Sequence, residues 1–212
     1  MITIINYGAG NIGSVDKAFK FIGEEVKVSD KAEDILAAEA LVLPGVGAFE
    51  DAMRKIKSAN LDGAIEEYIK KDRPFLGICL GMQMLFDYSE EAEKGEKAEG
   101  LKIFPGSIKR FSENKGLKIP QMGWNSISFN GEKRMFKGMS NREYVYFVHS
   151  YYLKSDDEDL VSAKCGYGID FDAAVERGNV FAAQFHPEKS GEAGLKILRN
   201  FAEVKNGYIS GY

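Results

Sequence analysis

Cysteine is scarce in this chain, with only Cys79 and Cys165 among 212 residues. Two thiols cannot build a disulfide framework, so the sequence predicts a protein that works in a reducing compartment, the cytoplasm. Histidine is as rare, limited to His149 and His186, and no Cys, His, Asp and Glu cluster has metal-ligand spacing. No metal and no cofactor is expected. Positive charge is not in excess: 28 Lys and Arg against 32 Asp and Glu leave a net charge of −4 and a pI near 5.4. That sign argues against a nucleic-acid surface. No apolar run approaches the ~18 residues of a membrane span, and none near the N-terminus resembles a signal peptide. The length suits a single domain, residues 1–212, able to bury roughly 70% of its unfolded surface.

The stretch Pro74-Phe-Leu-Gly-Ile-Cys-Leu-Gly-Met-Gln83 carries the most chemistry. Residues 75–78 read as a short buried strand ending at Cys79, and residues 80–86 have the spacing of a helix. Gly77 and Gly81 flank the cysteine two residues to either side. This is the pattern of a nucleophile elbow with Cys for Ser, where small neighbours permit a strained strand-to-helix turn. Exposed N–H groups at the helix start would favour a thiolate. On the pentad alone, a small core cysteine is an equal alternative. A nucleophile also needs a base, and His186 ends the apolar run Val180-Phe-Ala-Ala-Gln-Phe-His-Pro-Glu188. Pro187 stops strand pairing there, and Glu188 stands where it can orient the imidazole. Cys79, His186 and Glu188 therefore form a coherent catalytic set.

The elbow and the downstream Gln184-Phe-His-Pro-Glu188 resemble the class I (triad) glutamine amidotransferases. Asn6-Tyr-Gly-Ala-Gly-Asn11, Leu43-Pro-Gly-Val-Gly-Ala-Phe49 and Pro120-Gln-Met-Gly-Trp-Asn125 narrow the likeness to the glutaminase subunits of imidazole glycerol phosphate synthases. The likeness runs from Ile2 to about Phe201. It implies hydrolysis of glutamine to glutamate and ammonia, with the ammonia passed to a (β/α)8-barrel cyclase subunit of the histidine pathway. It also implies an oxyanion hole made by the amide of Val46 or Gly47 together with that of Leu80. Gln83 and the backbone at Ser150 and Tyr151 would hold the bound glutamine. Asn11, Gln121, Trp124 and Tyr146 would face the partner. Gln121 stands where the family commonly has His, which removes a titratable group from that segment. Without the resemblance, the 44–47 loop reads as an ordinary turn, Gln83 as a helix-rim polar residue, and His149 as structural. Trp124 reads equally well as core.

Up to residue 86 strands and helices alternate, with strands at 2–5, 25–28 and 40–43 before the elbow. Helices are expected to about residue 22, over 32–39, from 49 and over 61–70. Residues 87–99 form a charge run, read as a solvated connector without chemistry. Strand-like segments at 101–111, 118–122, 125–129 and 144–153 follow, with turns at Gly116 and Asn130-Gly131 and no long helix between them. A helix at about 194–204 closes the chain, and 207–212 reads as loose. The expected fold is α/β: a mostly parallel central sheet flanked by helices, with an added antiparallel strand region. Three rivals stay open. One is a glutaminase serving another synthase, for instance in sugar amidination. Another is a dinucleotide-binding domain using Gly8, Gly10 and Gly13, although Asn6 and Tyr7 separate the strand from the first glycine. The third, a non-catalytic scaffold, would have no use for an intact triad.

Overall fold

Isoleucine alternation in the first strand sets the layers. The structure, a computed structural model, describes residues 1–93, 95, 97–112, 116–129 and 133–210, the last three by backbone alone. In β1 (Ile2–Ile5), Ile2 and Ile4 join one buried cluster and Ile5 the other, because successive strand side chains point to opposite faces. The strands β3 (Ala40–Gly45) and β4 (Phe75–Cys79) repeat this, with Leu41, Leu43 and Phe75 on one side and Val42, Leu76 and Ile78 on the other. Strands apolar on both faces require helices on both faces. One is covered by α1 (Ile12–Phe21) and α6 (Gly191–Ser210), through Phe19, Ile197 and Phe201. The other is covered by α2 (Ala32–Ala37), α3 (Phe49–Ser58) and α4 (Asp62–Lys70), through Ile35, Ile56 and Tyr68.

The parallel centre runs β2 (Val26–Ser29), β1, β3, β4 and β13 (Val180–Ala183). From β13 the sheet continues through β12 (Asp170–Arg177), β10 (Tyr151–Ser155), β7 (Phe104–Arg110), β5 (Phe86–Ser89) and β6 (Ala98–Glu99). Apart from the parallel β5–β7 pair, this extension is antiparallel. A branch leaves β12 through β11 (Val161–Gly166) to β8 (Gln121–Ser128) and β9 (Arg142–His149), again antiparallel. Among the described residues no helix is long and apolar enough to cross a membrane.

Several boundaries depart from the sequence reading. The elbow helix α5 spans only Leu80–Gln83. It stops because the amides of Leu101 and Ile103 take the Met84 and Leu85 carbonyls, at 2.8 and 2.9 Å, that another helical turn would need. Phe86 then opens β5, so the charge run is not wholly a connector. The segments at 118–122 and 125–129 merge into β8, since Gly123 and Trp124 pair with Phe147 and Tyr146. The segment at 144–153 breaks at Ser150, where the chain leaves β8 and joins β7. The strands β11 and β12 were not foreseen, and α6 runs on past Gly207. The Asn130-Gly131 turn lies outside the described residues.

Glycine at 81 is dictated by this packing: a Cβ there would lie 1.8 Å from the Leu43 carbonyl oxygen. Gly63, inside α4, has nothing within 4 Å of the same added atom. Gly81→Ala is expected to cost about 3 kcal/mol or more, while Gly63→Ala should gain about 0.5–1 kcal/mol. Urea denaturation of both variants checks the contrast.

Candidate active site

The strand β4 ends in a backbone conformation that few side chains adopt. Cys79 has φ 54° and ψ −111°, a strained geometry for a residue with a Cβ. By strand alternation its side chain would share the face of Phe75, yet it packs in the cluster of Leu76 and Ile78. The turn has swung it. Small neighbours permit this: a Cβ on Gly45 would meet Gly81 N and Leu80 Cβ at 2.7 Å, and one on Gly77 would meet Gly81 O at 3.0 Å. With α5 only one turn long, little helix dipole bears on the sulfur, and its charged neighbour is His186.

His186 follows β13 at the start of a 3-10 turn, Pro187–Lys189. Its Nδ1 meets Glu188 Oε1 at 2.8 Å, with both side chains almost wholly buried. Nε2 is buried with no hydrogen-bond partner among the described residues. Burial disfavours the imidazolium, but the adjacent Cys79 sulfur and the Glu188 carboxylate outweigh it and hold the pKa well above the ordinary value. The backbone fixes the ring's place: His186 N–H donates to Tyr146 O at 3.0 Å, and Ser190 Oγ donates to His186 O at 2.6 Å.

Cys79 and His186 open on one cavity of about 300 Å³, sized for an amino acid. Val46, Gly47 and Leu80 line it, as do Gln83, Ser150 and Tyr151. The register explains the first group, since Gly45 pairs with Cys79 and delivers the next two residues beside Leu80. Gly47 takes φ +93°, a conformation reserved for glycine. The amide of Gln83 is already committed, its Nε2 donating to Tyr151 O at 3.1 Å and to Gln184 Oε1 at 2.8 Å. Only its Oε1 remains for a ligand.

Two residues of the site escaped the sequence reading. Glu91, inside the supposed connector, lines the cavity and accepts from Phe49 N at 3.0 Å; burial raises its pKa, against that bond. Nothing in a run of acidic residues marks one of them as inward. Gln184 is fully buried and its Nε2 lies 3.6 Å from Cys79 Sγ. An amide interrupting an apolar strand was the available signal.

The remaining expectations divide. Trp124 is exposed and meets half-buried Tyr146 edge-on, ring centroids 6.3 Å apart. Met122 and Tyr144 are exposed on the same face. Gln121 is corrected: it is 2% exposed, because alternation along β8 turns it inward, and Met122 takes the surface instead. Asn11 holds the position just before α1 without a side-chain capping bond and is half-buried. Gly10 takes φ +113°, and a Cβ added there would lie 3.5 Å from Pro44. The space beside this glycine, where a dinucleotide fingerprint would seat a pyrophosphate, is bordered by the protein's own Pro44 loop. Cys165 is buried, which pushes its thiol up to about 12 despite the Gln121 side chain. Among the described residues no group of three His, Cys, Asp or Glu could hold a metal.

His149 is buried, its Nδ1 2.7 Å from Tyr151 O, so that nitrogen carries the proton. Burial lowers its pKa from 6.5 to about 4, with the Tyr151 carbonyl opposing and the His186 charge assisting. The folded chain thus favours the neutral ring. This contribution is complete above pH 6.5 and is lost as the pH falls toward 4. His149→Gln should remove about 3 kcal/mol of acid-linked destabilisation across that window. Urea denaturation of both chains at pH 7 and pH 4 measures it.

The chain matches the family model described as glutamine amidotransferase class-I over residues 3–204. It is 50% identical over 204 residues to a protein of Caldanaerobacter subterraneus named imidazole glycerol phosphate synthase subunit HisH, covering 96% of this chain and 98% of that one. A Methanosarcina barkeri protein of the same name is 45% identical, covering 96% and 98%. An Arabidopsis thaliana protein, named imidazole glycerol phosphate synthase hisHF, chloroplastic, is 44% identical over 97% of this chain but only 34% of its own. Among solved structures, one titled as a glutamine amidotransferase superposes with a TM-score of 0.74 at 18% identity, covering 97% of this chain and all of that one. The extent of these matches and the geometry of the cavity agree, and the chain belongs to the class-I glutamine amidotransferase family.

Proposed function

We propose that this chain is the glutaminase subunit of an imidazole glycerol phosphate synthase, acting as one domain in the histidine pathway. The observation that carries the chemistry is the shared cavity of Cys79 and His186, with Glu188 at 2.8 Å behind the imidazole. The Cys79 thiolate attacks the γ-amide carbon of glutamine. The amides of Leu80 and of Val46 or Gly47 hold the oxyanion. His186 gives its proton to the departing ammonia as the C–N bond breaks and a glutamyl thioester remains. Water, losing a proton to His186, hydrolyses the thioester, and glutamate leaves with the thiolate restored. Glu91 and the Gln83 Oε1 suit the substrate's ammonium, and the backbone near Ser150 and Tyr151 suits its carboxylate.

Ammonia is then handed to a (β/α)8-barrel cyclase subunit. Support comes from the relatives' names, which call them subunits, and from the plant relative, whose chain extends far beyond the matched part. The docking face we assign is the outer surface of β8 and β9, where Met122, Trp124 and Tyr144 are 57–63% exposed. Tyr146 lies between them, Gln121 supports the face from beneath, and the family resemblance adds Asn11. Pro120 and Val148 continue it to the rim of the cavity. Two free cysteines, one of them needed as a thiolate, fit a reducing cytoplasm.

In the assembled complex, Cys79→Ala should reduce glutamine-dependent synthesis by at least about 10³-fold while synthesis from added ammonium persists. Loss of both activities together would mean that Cys79 serves assembly rather than ammonia release.

A further inference from the structure

Beneath the nucleophile lies a chain of amides that the triad does not use. Gln184 is 0% exposed and Gln83 is 4% exposed, and buried amides of this kind need partners for every N–H. The polarity of the chain follows from its far end. Tyr151 O is a backbone carbonyl and can only accept, and both Gln83 Nε2, at 3.1 Å, and His149 Nδ1, at 2.7 Å, converge on it. The end of Gln83 facing that carbonyl must therefore be its NH2 group. The same NH2 group meets Gln184 at 2.8 Å, so the Gln184 atom there must be its oxygen. The Gln184 NH2 group is left facing Cys79 Sγ, at 3.6 Å. No other orientation of either amide satisfies the anchor.

We infer that Gln184 is a hydrogen-bond donor that holds the Cys79 sulfur as a thiolate, and that Gln83 is a positioning residue that fixes which end of the Gln184 amide the sulfur meets. This rests on the reading of Cys79 as nucleophile. The arrangement supplies what the short α5 cannot. A one-turn helix offers little dipole, whereas a buried amide donor is oriented before substrate arrives and needs no rearrangement. A donor also acts on the thiolate selectively, because a neutral thiol or thioester sulfur is a poor acceptor. Gln184 would thus favour the attacking form and the regenerated thiolate, and leave the thioester between them unaided. The backbone holds Gln184 in place, its N–H donating to Ala173 O at 2.9 Å.

The test reads the thiolate directly in the full chain. Iodoacetamide alkylation of Cys79 is followed across pH by peptide mass spectrometry in the unaltered chain, in Gln184→Met and in Gln83→Met. The titratable groups facing Cys79 are His186 and Tyr7, with Glu188 behind the imidazole and His149, Glu91 and Tyr151 on the walls of the same cavity; all are unchanged in these variants. The midpoint in Gln184→Met is expected to rise by about one pH unit, so that alkylation below both midpoints slows about tenfold. Gln83→Met should shift it less, in the same direction, because the Gln184 amide is then free to turn. A residue that merely fills space would leave the midpoint in place. An unshifted midpoint in a Gln184→Met chain with the unaltered circular dichroism overturns the inference. Should that variant not fold, an unshifted midpoint in Gln83→Met does so. Alkylation of Cys165 in preference to Cys79 in the unaltered chain would instead remove the nucleophile reading, and this inference with it.

Discussion

The Leu43 carbonyl oxygen and the Gly81 backbone approach so closely that a single methyl group cannot fit between them. This contact presses β3 against the turn that follows Cys79, and the rest of the site is referenced to it. It forces glycine at 81 and small residues at 45 and 77. It lets Cys79 hold a left-handed φ that a looser turn would relax. It also sets the register in which Gly45 lies opposite Cys79, so that Val46 and Gly47 emerge beside Leu80. One steric constraint therefore aims the sulfur and places the amides that would receive the oxyanion.

The site is closed by stretches far apart in sequence. The Tyr151 carbonyl binds His149 and Gln83 together, tying β9 and β10 to the elbow. His186 is held to β9 by the Tyr146 carbonyl, while Tyr146 N–H donates to Ser190 Oγ at 3.0 Å and Ser190 donates back to His186 O. The base and the aromatic surface around Trp124 thus share one hydrogen-bonded unit. A partner seated on that surface would press on the backbone that positions the imidazole, and a change there needs only the two arrangements to bind it unequally.

Much of this was legible because steric demands leave marks on sequence. The glycines around Cys79, the apolar run before His186 and the alternation of β1, β3 and β4 each have one physical explanation. Other features carried no such mark. The elbow helix was read too long because its end is set by amides of Leu101 and Ile103, which no local pattern reveals. The strands β11 and β12 together hold three Ala, two Asp and one each of Lys, Glu and Gly, residues of weak strand preference, and form because they are sandwiched between partners. Glu91 looked like its acidic neighbours, since inward orientation depends on the fold of Phe49 against it. Gln121 was assigned to the surface by likeness of motif, and strand alternation places it inside.

The central claim is that Cys79 is the nucleophile that attacks glutamine, and one covalent trap addresses it. An electrophilic glutamine analogue should modify the chain at one site per molecule, at Cys79 by peptide mapping. Added glutamine should slow the modification, and glutaminase activity should fall in step with it. Modification of Cys165 instead, or glutaminase activity that survives full modification of Cys79, would contradict the account.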